Sequence, residues 1–409
     1  MRKSGSRIGA IALLGVFLAL GMSSPMSSGE DEKAWTVMIY LDADNNLESA
    51  ALMNMEWLEN VGSSSEVNYL VLLDTLSGGT ELIYIEKSTV RESVVLNDDY
   101  RFLDDDEVNM ADPAVLQEFI EIGVKDFPAT YYALILWDHG GGWRGICWDD
   151  TTGEDDCITM DELRSAFAGA YEETREVIDI VGFDACLMAM PEVAYELRDY
   201  ADYLIFSEET IYGTSFPYEM IATDLNKDPT IGPLECVELM AKDYADYYTF
   251  NNGYPDWTIS TFDMAYMDDM TDAVEYLASE MLDSLSYYFN AYNNARVQSD
   301  EYYYFYNVDL WMFANNLLMD PVIEDEGIRA AATQVRDAVD DAVTLCYNSY
   351  HNRDSMGVAI YFPYAPGSTI AGLKPEYDQI SFADADVTGW YDFVNEFSNF
   401  TGRTWCAEK

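Results

Sequence analysis

Four short apolar runs limit this chain to a small set of folds. Residues 35–41 (WTVMIYL), 69–73 (YLVLL), 131–137 (YYALILW) and 177–183 (VIDIVGF) are rich in β-branched and aromatic side chains. The third is apolar on both faces, as a central parallel strand must be, and the fourth reads as another buried strand. Helical stretches alternate with the strands. Asp112, with Pro113 at the first helical position, opens one that runs to about residue 124. Others span residues 161–171, begin near Pro191, and cover 234–248 and 268–281. Shorter strands are expected at 203–206, 258–262 and 357–362, with 81–86 and 93–96 as an antiparallel pair. Such alternation predicts an α/β fold on an open, mostly parallel sheet. No repeat or low-complexity linker divides the chain, so residues 29–220 are expected to form the core, with 221–409 packed on it.

In an open parallel sheet the ligand crevice lies at the carboxyl ends of the strands. The run 131–137 delivers Asp138-His139-Gly140-Gly141-Gly142 there, and 177–183 delivers Asp184-Ala185-Cys186. If the two strands are neighbours, a histidine and a cysteine meet across the crevice. A thiol becomes a nucleophile as its thiolate, and an adjacent imidazole can take its proton and later give one to a leaving amine. The tetrahedral intermediate of acyl transfer needs donors aimed at its oxyanion, for which the amides of Gly140 and Cys186 are placed. A cysteine after a buried strand is by itself more often a core residue; it is the match with His139 at a second strand end that favours catalysis.

Composition removes other classes. A formal charge of −54 repels a phosphate backbone, so no nucleic-acid partner is expected. The acidic coat is spread along the whole chain, which suits a salt-adapted surface. Two histidines, and six cysteines with no CxxC pair, leave too few ligands at zinc-site spacing. The glycine run 140–142 lacks the lysine and Ser/Thr of a phosphate loop. His351 reads as a solvated loop residue. Arg2, Lys3 and Arg7 precede an apolar run, 8–22, and then small residues, so 1–28 reads as a secretory signal; the alternative is an uncleaved amino-terminal anchor. In an exported chain Cys147 and Cys157, which flank one acidic loop, are the expected disulfide.

At these residues the sequence resembles the clostripain-like cysteine peptidases of the caspase–legumain clan. The likeness rests on the turn 42–46, on Trp137-Asp138-His139-Gly140-Gly141-Gly142-Trp143, and on Gly182-Phe183-Asp184-Ala185-Cys186-Leu187-Met188. It extends to Ser207-Glu208-Glu209 with Gly213 and Pro217-Tyr218, and to residues 357–363. The resemblance implies a caspase-like three-layer α/β/α sandwich with a His139/Cys186 dyad. It implies endopeptidase action on protein or peptide substrates after arginine, with lysine as the second choice. Asp184 then sits in the specificity pocket, where a carboxylate can pair bidentately with guanidinium, and Ser207 and Glu208 join it as substrate-binding residues. Some relatives need calcium, for which Asp149, Asp150, Glu154, Asp155 and Asp156 could supply oxygens, although they match no calcium-loop template. Others cut themselves at a basic residue between histidine and cysteine; here that segment holds only Arg144, Arg164 and Arg175. A monomer is expected. A non-catalytic extracellular binding module on the same fold is the main alternative, and a glycoside hydrolase using paired carboxylates is a weaker one.

Overall fold

The first strand, β1 (Lys33–Ala43), lies at the heart of the protein, flanked on both sides by parallel partners. A computed structural model describes residues 32–87, 93–96, 100, 108–151, 156–251, 253–303, 306–364 and 373–400. The leader 1–28, Glu154, Asp155 and Cys406 lie outside the described residues.

The remaining strands are β2 (Val67–Thr75), β3 (Glu81–Tyr84), β4 (Val94–Val95), β5 (Ala129–Trp137), β6 (Ile146–Trp148), β7 (Cys157–Ile158), β8 (Ile178–Asp184), β9 (Ala201–Phe206), β10 (Thr258–Asp263), β11 (Asn307–Asp309), β12 (Val343–Asn348) and β13 (Ala359–Tyr361). Nine form one sheet in the order β12-β10-β9-β8-β5-β1-β2-β3-β4. Its centre, β9 through β2, is parallel. The edges β3–β4 and β10–β12 run antiparallel. The two runs expected to carry the chemistry are neighbours, with Leu136 opposite Phe183 and Trp137 opposite Asp184.

Alternation along the central strands feeds two cores. Tyr40, Leu72, Leu136 and Phe183 face one way. That side is covered by α2 (Pro113–Asp126), α3 (Met160–Thr174) and α7 (Met267–Val297). Ile39, Val71, Ile135 and Ile180 face the other, under α1 (Glu48–Val61), α5 (Tyr218–Lys227) and α6 (Pro233–Phe250). Each such fully buried side chain contributes about 1.5–3 kcal/mol. The result is the expected α/β/α sandwich. Helix starts follow local chemistry. Asp112 caps α2 ahead of Pro113, and Thr159 and Glu162 close a reciprocal capping box on α3.

Residues on both sides of position 220 share this sheet, since β10 and β12 extend it. Helices α4 (Pro191–Ala194), α8 (Leu310–Met319), α9 (Glu326–Ala342) and α10 (Trp390–Asn399) complete the described elements. Two expectations change. Helix α7 runs on to Val297, because Leu285, Tyr288, Ala291, Tyr292 and Ala295 continue its buried stripe. The expected strand 357–362 shrinks to β13 and pairs with β11 in a separate ribbon, leaving the sheet edge to β12.

Cys147 and Cys157 are both free thiols, as are Cys186, Cys236 and Cys346. The register of β6 against β7 shifts between Ile146 and Trp148; Cys147 turns into the core with φ +59°, while the Cys157 sulfur faces the Arg144 carbonyl. Among the described residues no helix is long and apolar enough to cross a membrane.

Candidate active site

The loops after β5 and β8 touch directly. A Cβ on Gly140 would collide with the Cys186 carbonyl and lie 2.8 Å from the Cys186 nitrogen, so only glycine lets the two backbones come this close. Cys186 follows Asp184, the last residue of β8, and the next residue, Leu187, is held at φ +68°. The Leu187 and Ala189 amides donate to the carbonyls of Glu209 and Ser207, which pins the turn to the segment after β9. His139 and Cys186 line one open cleft of about 510 Å³ with Gly140, Trp148, Asp150, Leu187, Thr210 and Tyr303.

The His139 and Cys186 side chains are held by different neighbours. His139 Nε2 lies 3.0 Å from Asn46 Oδ1. The Cys186 sulfur accepts from the Ile211 amide at 3.3 Å. Neither the Gly140 nor the Cys186 amide donates a hydrogen bond within the described residues. Asp138, next to the histidine, accepts from Asn45 Nδ2 at 2.6 Å and from the Trp148 amide at 2.5 Å. Asn45 Nδ2 also reaches the Trp148 carbonyl.

Burial dominates the electrostatics. It pushes the Cys186 thiol up to about 11, with Glu209, Asp184 and Asp138 adding to the rise and the Ile211 amide opposing it. It lowers His139, against the pull of Asp150. The resting pair is therefore a neutral thiol beside a neutral imidazole at neutral pH.

Asp184, two residues before Cys186, is 2% exposed. Its Oδ2 accepts from the Phe216 amide at 3.1 Å and the Tyr218 hydroxyl at 2.8 Å, while its buried Oδ1 has no hydrogen bond of good geometry. Desolvation raises it to about 7. Tyr244, whose buried hydroxyl also lacks a partner, feels the charges of both Asp184 and Cys186 and packs against Phe216 and Tyr248.

Ser207 and Glu208 are not brought to the cleft. Both are buried, Glu208 at 1% exposure. Ser207 Oγ bonds Thr258 Oγ1 and the Glu209 carbonyl, and Glu208 Oε2 accepts from the Gly357 amide. They brace the turn under Cys186, and Thr210 is the residue of that segment that reaches the cleft wall. Of the acidic-loop residues, Asp150 lines the cleft and Asp156 accepts from Asn109. Asp149 alone joins a carboxylate cluster, with Asp44 and Asp74. His351 is exposed beside Asp256, as expected. Sequence reasoning gave no role to Asn46, Ile211 or Tyr244. Asn46 could have been singled out, because it ends the polar turn after β1 in line with the histidine loop.

Residues 39–394 match the profile of the clostripain family, peptidase C11. Clostripain of Hathewaya histolytica is 28% identical over 311 residues, which are 63% of this chain and 58% of that protein. The match thus spans less than two thirds of that relative's length. Two solved structures share the fold. A secreted C11 cysteine protease from Bacteroides thetaiotaomicron, held with an irreversible peptide inhibitor, is 20% identical with a TM-score of 0.65, over 89% of this chain and 99% of that one. An inactive zymogen C11 protease from Parabacteroides distasonis is 21% identical with a TM-score of 0.64, over 89% and 98%.

Proposed function

Since the chain belongs to the clostripain family, we propose that it is a secreted cysteine endopeptidase that cuts after arginine, and secondarily after lysine. The observation that carries this reading is the meeting of His139 and Cys186 in one cleft, with the Gly140 backbone pressed against that of Cys186.

The reaction runs as acyl transfer. A substrate carbonyl enters between the Gly140 and Cys186 amides, His139 takes the Cys186 proton, and the sulfur attacks the carbonyl carbon. The two amides hold the oxyanion. His139 then protonates the departing amine as the C–N bond breaks, leaving a thioester on Cys186. Water attacks the thioester with His139 as base, which releases the acid and restores the thiol. Because the resting pair is neutral, the proton leaves the sulfur during attack and not before it.

The arginine preference is supported by the unpartnered Asp184 Oδ1, two residues before the nucleophile. A guanidinium brought there would donate a charge-assisted hydrogen bond to Oδ1 and draw Asp184 into its ionised form. Export is supported by the basic, apolar and small-residue order of residues 1–28.

The test is cleavage of fluorogenic peptides ending in Arg, Lys, Asn or Asp by the chain from Gly29 onward, under reducing conditions, beside Cys186→Ala. Cleavage after Arg that disappears in the variant is expected. Cleavage after Asn would refute the specificity. A folded, reduced protein that cuts nothing would favour the binding-module reading.

A further inference from the structure

Glu208 is a buried carboxyl that the reaction does not touch, and it lies where the Cys186 turn is tied down. The carbonyls on either side of it, those of Glu209 and Ser207, accept from the Leu187 and Ala189 amides at 3.2 and 3.0 Å. Its own amide donates to Thr258 Oγ1 at 3.0 Å. Its Oε2 accepts from the Gly357 amide at 3.1 Å, while Oε1 has no hydrogen bond of good geometry. Two residues past Gly357, the Ala359 amide donates to the Ala189 carbonyl at 2.8 Å. One side chain therefore links the turn to residues 357–359 from within the protein.

The carboxyl that meets it is Asp309, buried at the end of β11. Asp309 Oδ1 accepts from the Met312 amide, in the first turn of α8, and Oδ2 from the Met356 amide, at 2.6 Å each. Two backbone donors and a helix N-terminus favour a negative charge on Asp309. Glu208 has one backbone donor and no helix end. Burial raises both carboxyls, but the hydrogen bond between them raises Glu208 and lowers Asp309. That asymmetry is the mark of a Glu208 O–H donating to an Asp309 carboxylate. The other titratable groups facing the pair are Tyr302, the Cys346 thiol of β12 and Asp300. Arg353 and Asp354 face Asp300 in turn.

Tyr302 carries the link to the sulfur. Its ring is 1% exposed and packs with Leu187 and Ala359, and Cys186 borders that cluster. Its hydroxyl interacts with Glu208 and donates to Ser355 Oγ at 2.9 Å. The residue after the nucleophile, held at φ +68°, thus rests on a ring whose far end is tied to the carboxyl pair.

We propose that Glu208 works as a protonated carboxylic acid and, with Tyr302, is a positioning residue for the Cys186 nucleophile. Its proton joins the segment after β9 to Asp309, so the two carbonyls that anchor the Cys186 turn stay in place. Loss of that proton to solvent sets two buried negative charges against each other, and the anchors move apart from β11 and Tyr302. The positioning role rests on Cys186 acting as proposed; the protonation of Glu208 does not, and the two are read separately.

The proton is read by infrared difference spectra of the whole chain, wild type minus Glu208→Gln, across the pH range. A protonated-carboxyl carbonyl band is expected at neutral pH, and it should fade as the pH rises. An ionised-carboxylate band at neutral pH in its place overturns the proposal. The positioning role is read from kcat with a saturating arginyl peptide. Wild-type kcat should fall at least about fivefold on the alkaline side, in step with the band, and Glu208→Gln, which keeps a neutral donor toward Asp309, should lose that fall. Tyr302→Phe, which keeps the ring and removes the hydroxyl, should lower kcat about three- to tenfold with KM nearly constant. Glu208→Ala should cost more than tenfold, most of it recovered by Gln; if the alanine variant fails to fold, the Gln and Phe variants still decide. An alkaline fall that persists unchanged in Glu208→Gln, or a kcat insensitive to Tyr302→Phe, overturns the positioning role. A wild type that cleaves no peptide removes that role together with the proposed dyad, while the infrared spectra still decide the proton.

Discussion

The neutral resting state of Cys186 and His139 predicts how Cys186 reacts with a small alkylating agent. With its thiol near 11, about 3 in 10,000 molecules carry the thiolate at pH 7.5, against about one in ten for an ordinary thiol of pKa about 8.5. A more basic thiolate is also a stronger nucleophile; a Brønsted slope of about 0.45 recovers a factor of about 13. Iodoacetamide should therefore modify Cys186 about 20-fold more slowly than a free small thiol at pH 7.5. The rate should climb nearly tenfold per pH unit from 7 to 10, with no plateau near neutrality. The assay is mass-spectrometric counting of the modified Cys186 peptide over time, which separates it from the other thiols. A preformed thiolate–imidazolium pair would instead give a flat rate above about pH 6. That result would refute the claim that burial, and not His139, sets the resting state.

Three further outcomes are expected. Asp184→Asn should lower kcat/KM for arginyl peptides by about 10²–10³-fold, the cost of removing one partner from a buried charged pair, and should leave cleavage after uncharged residues nearly unchanged. Because burial places Asp184 near 7 and only its ionised form pairs with guanidinium, KM for arginyl peptides should fall from pH 6 to 8 in the wild type and lose that trend in the variant. Asn46→Ala removes the partner of His139 Nε2; kcat should drop about tenfold, for about 1–1.5 kcal/mol of lost orientation, with KM and Tm nearly constant. Glu208 and Asp309 form a buried carboxyl pair: burial raises both, Asp309 raises Glu208 further, and the Glu208 hydrogen bond holds Asp309 back, at about 7. Their folded pKa values lie above the unfolded ones, so their stabilisation is present at low pH and is lost as pH rises through about 7. Glu208→Gln, which keeps a donor toward Asp309, should flatten the fall in Tm between pH 6 and 8.

The strands were legible because burial on both faces leaves a plain mark. A run such as 131–137 has no polar side chain to spare for solvent, and its end points at its own loop. His139 and Cys186 could be paired for the same reason, since adjacent parallel strands bring their carboxyl ends together. Residues whose role depends on the path of a loop were not legible. Ser207 and Glu208 sit in a recognisable motif, yet one bond to Thr258 and one from Gly357, both distant in sequence, turn them inward. The Cys147–Cys157 pairing failed because a register shift in a short hairpin sends neighbouring side chains to opposite sides. The length of α7 was missed because tyrosines and asparagines dilute an otherwise continuous buried face. Asp42 and Asp74 were visible as strand ends, but their facing one another required the register itself.

The adjacency of β5 and β8 has a consequence for how the chain tolerates being severed. The peptide between Trp148 and Cys157 is the route from the histidine half to the cysteine half, but it is not what joins them. The upstream piece owns β1 to β5, the downstream piece owns β8 to β12, and the sheet runs uninterrupted from one to the other through paired residues from Ala133–Ile180 to Trp137–Asp184. Helices α2 and α3 share a core across the same seam. A nick in that acidic stretch would leave a two-chain protein with a strand-pair interface as dry as any domain interior, and His139 and Cys186 would still line one cleft.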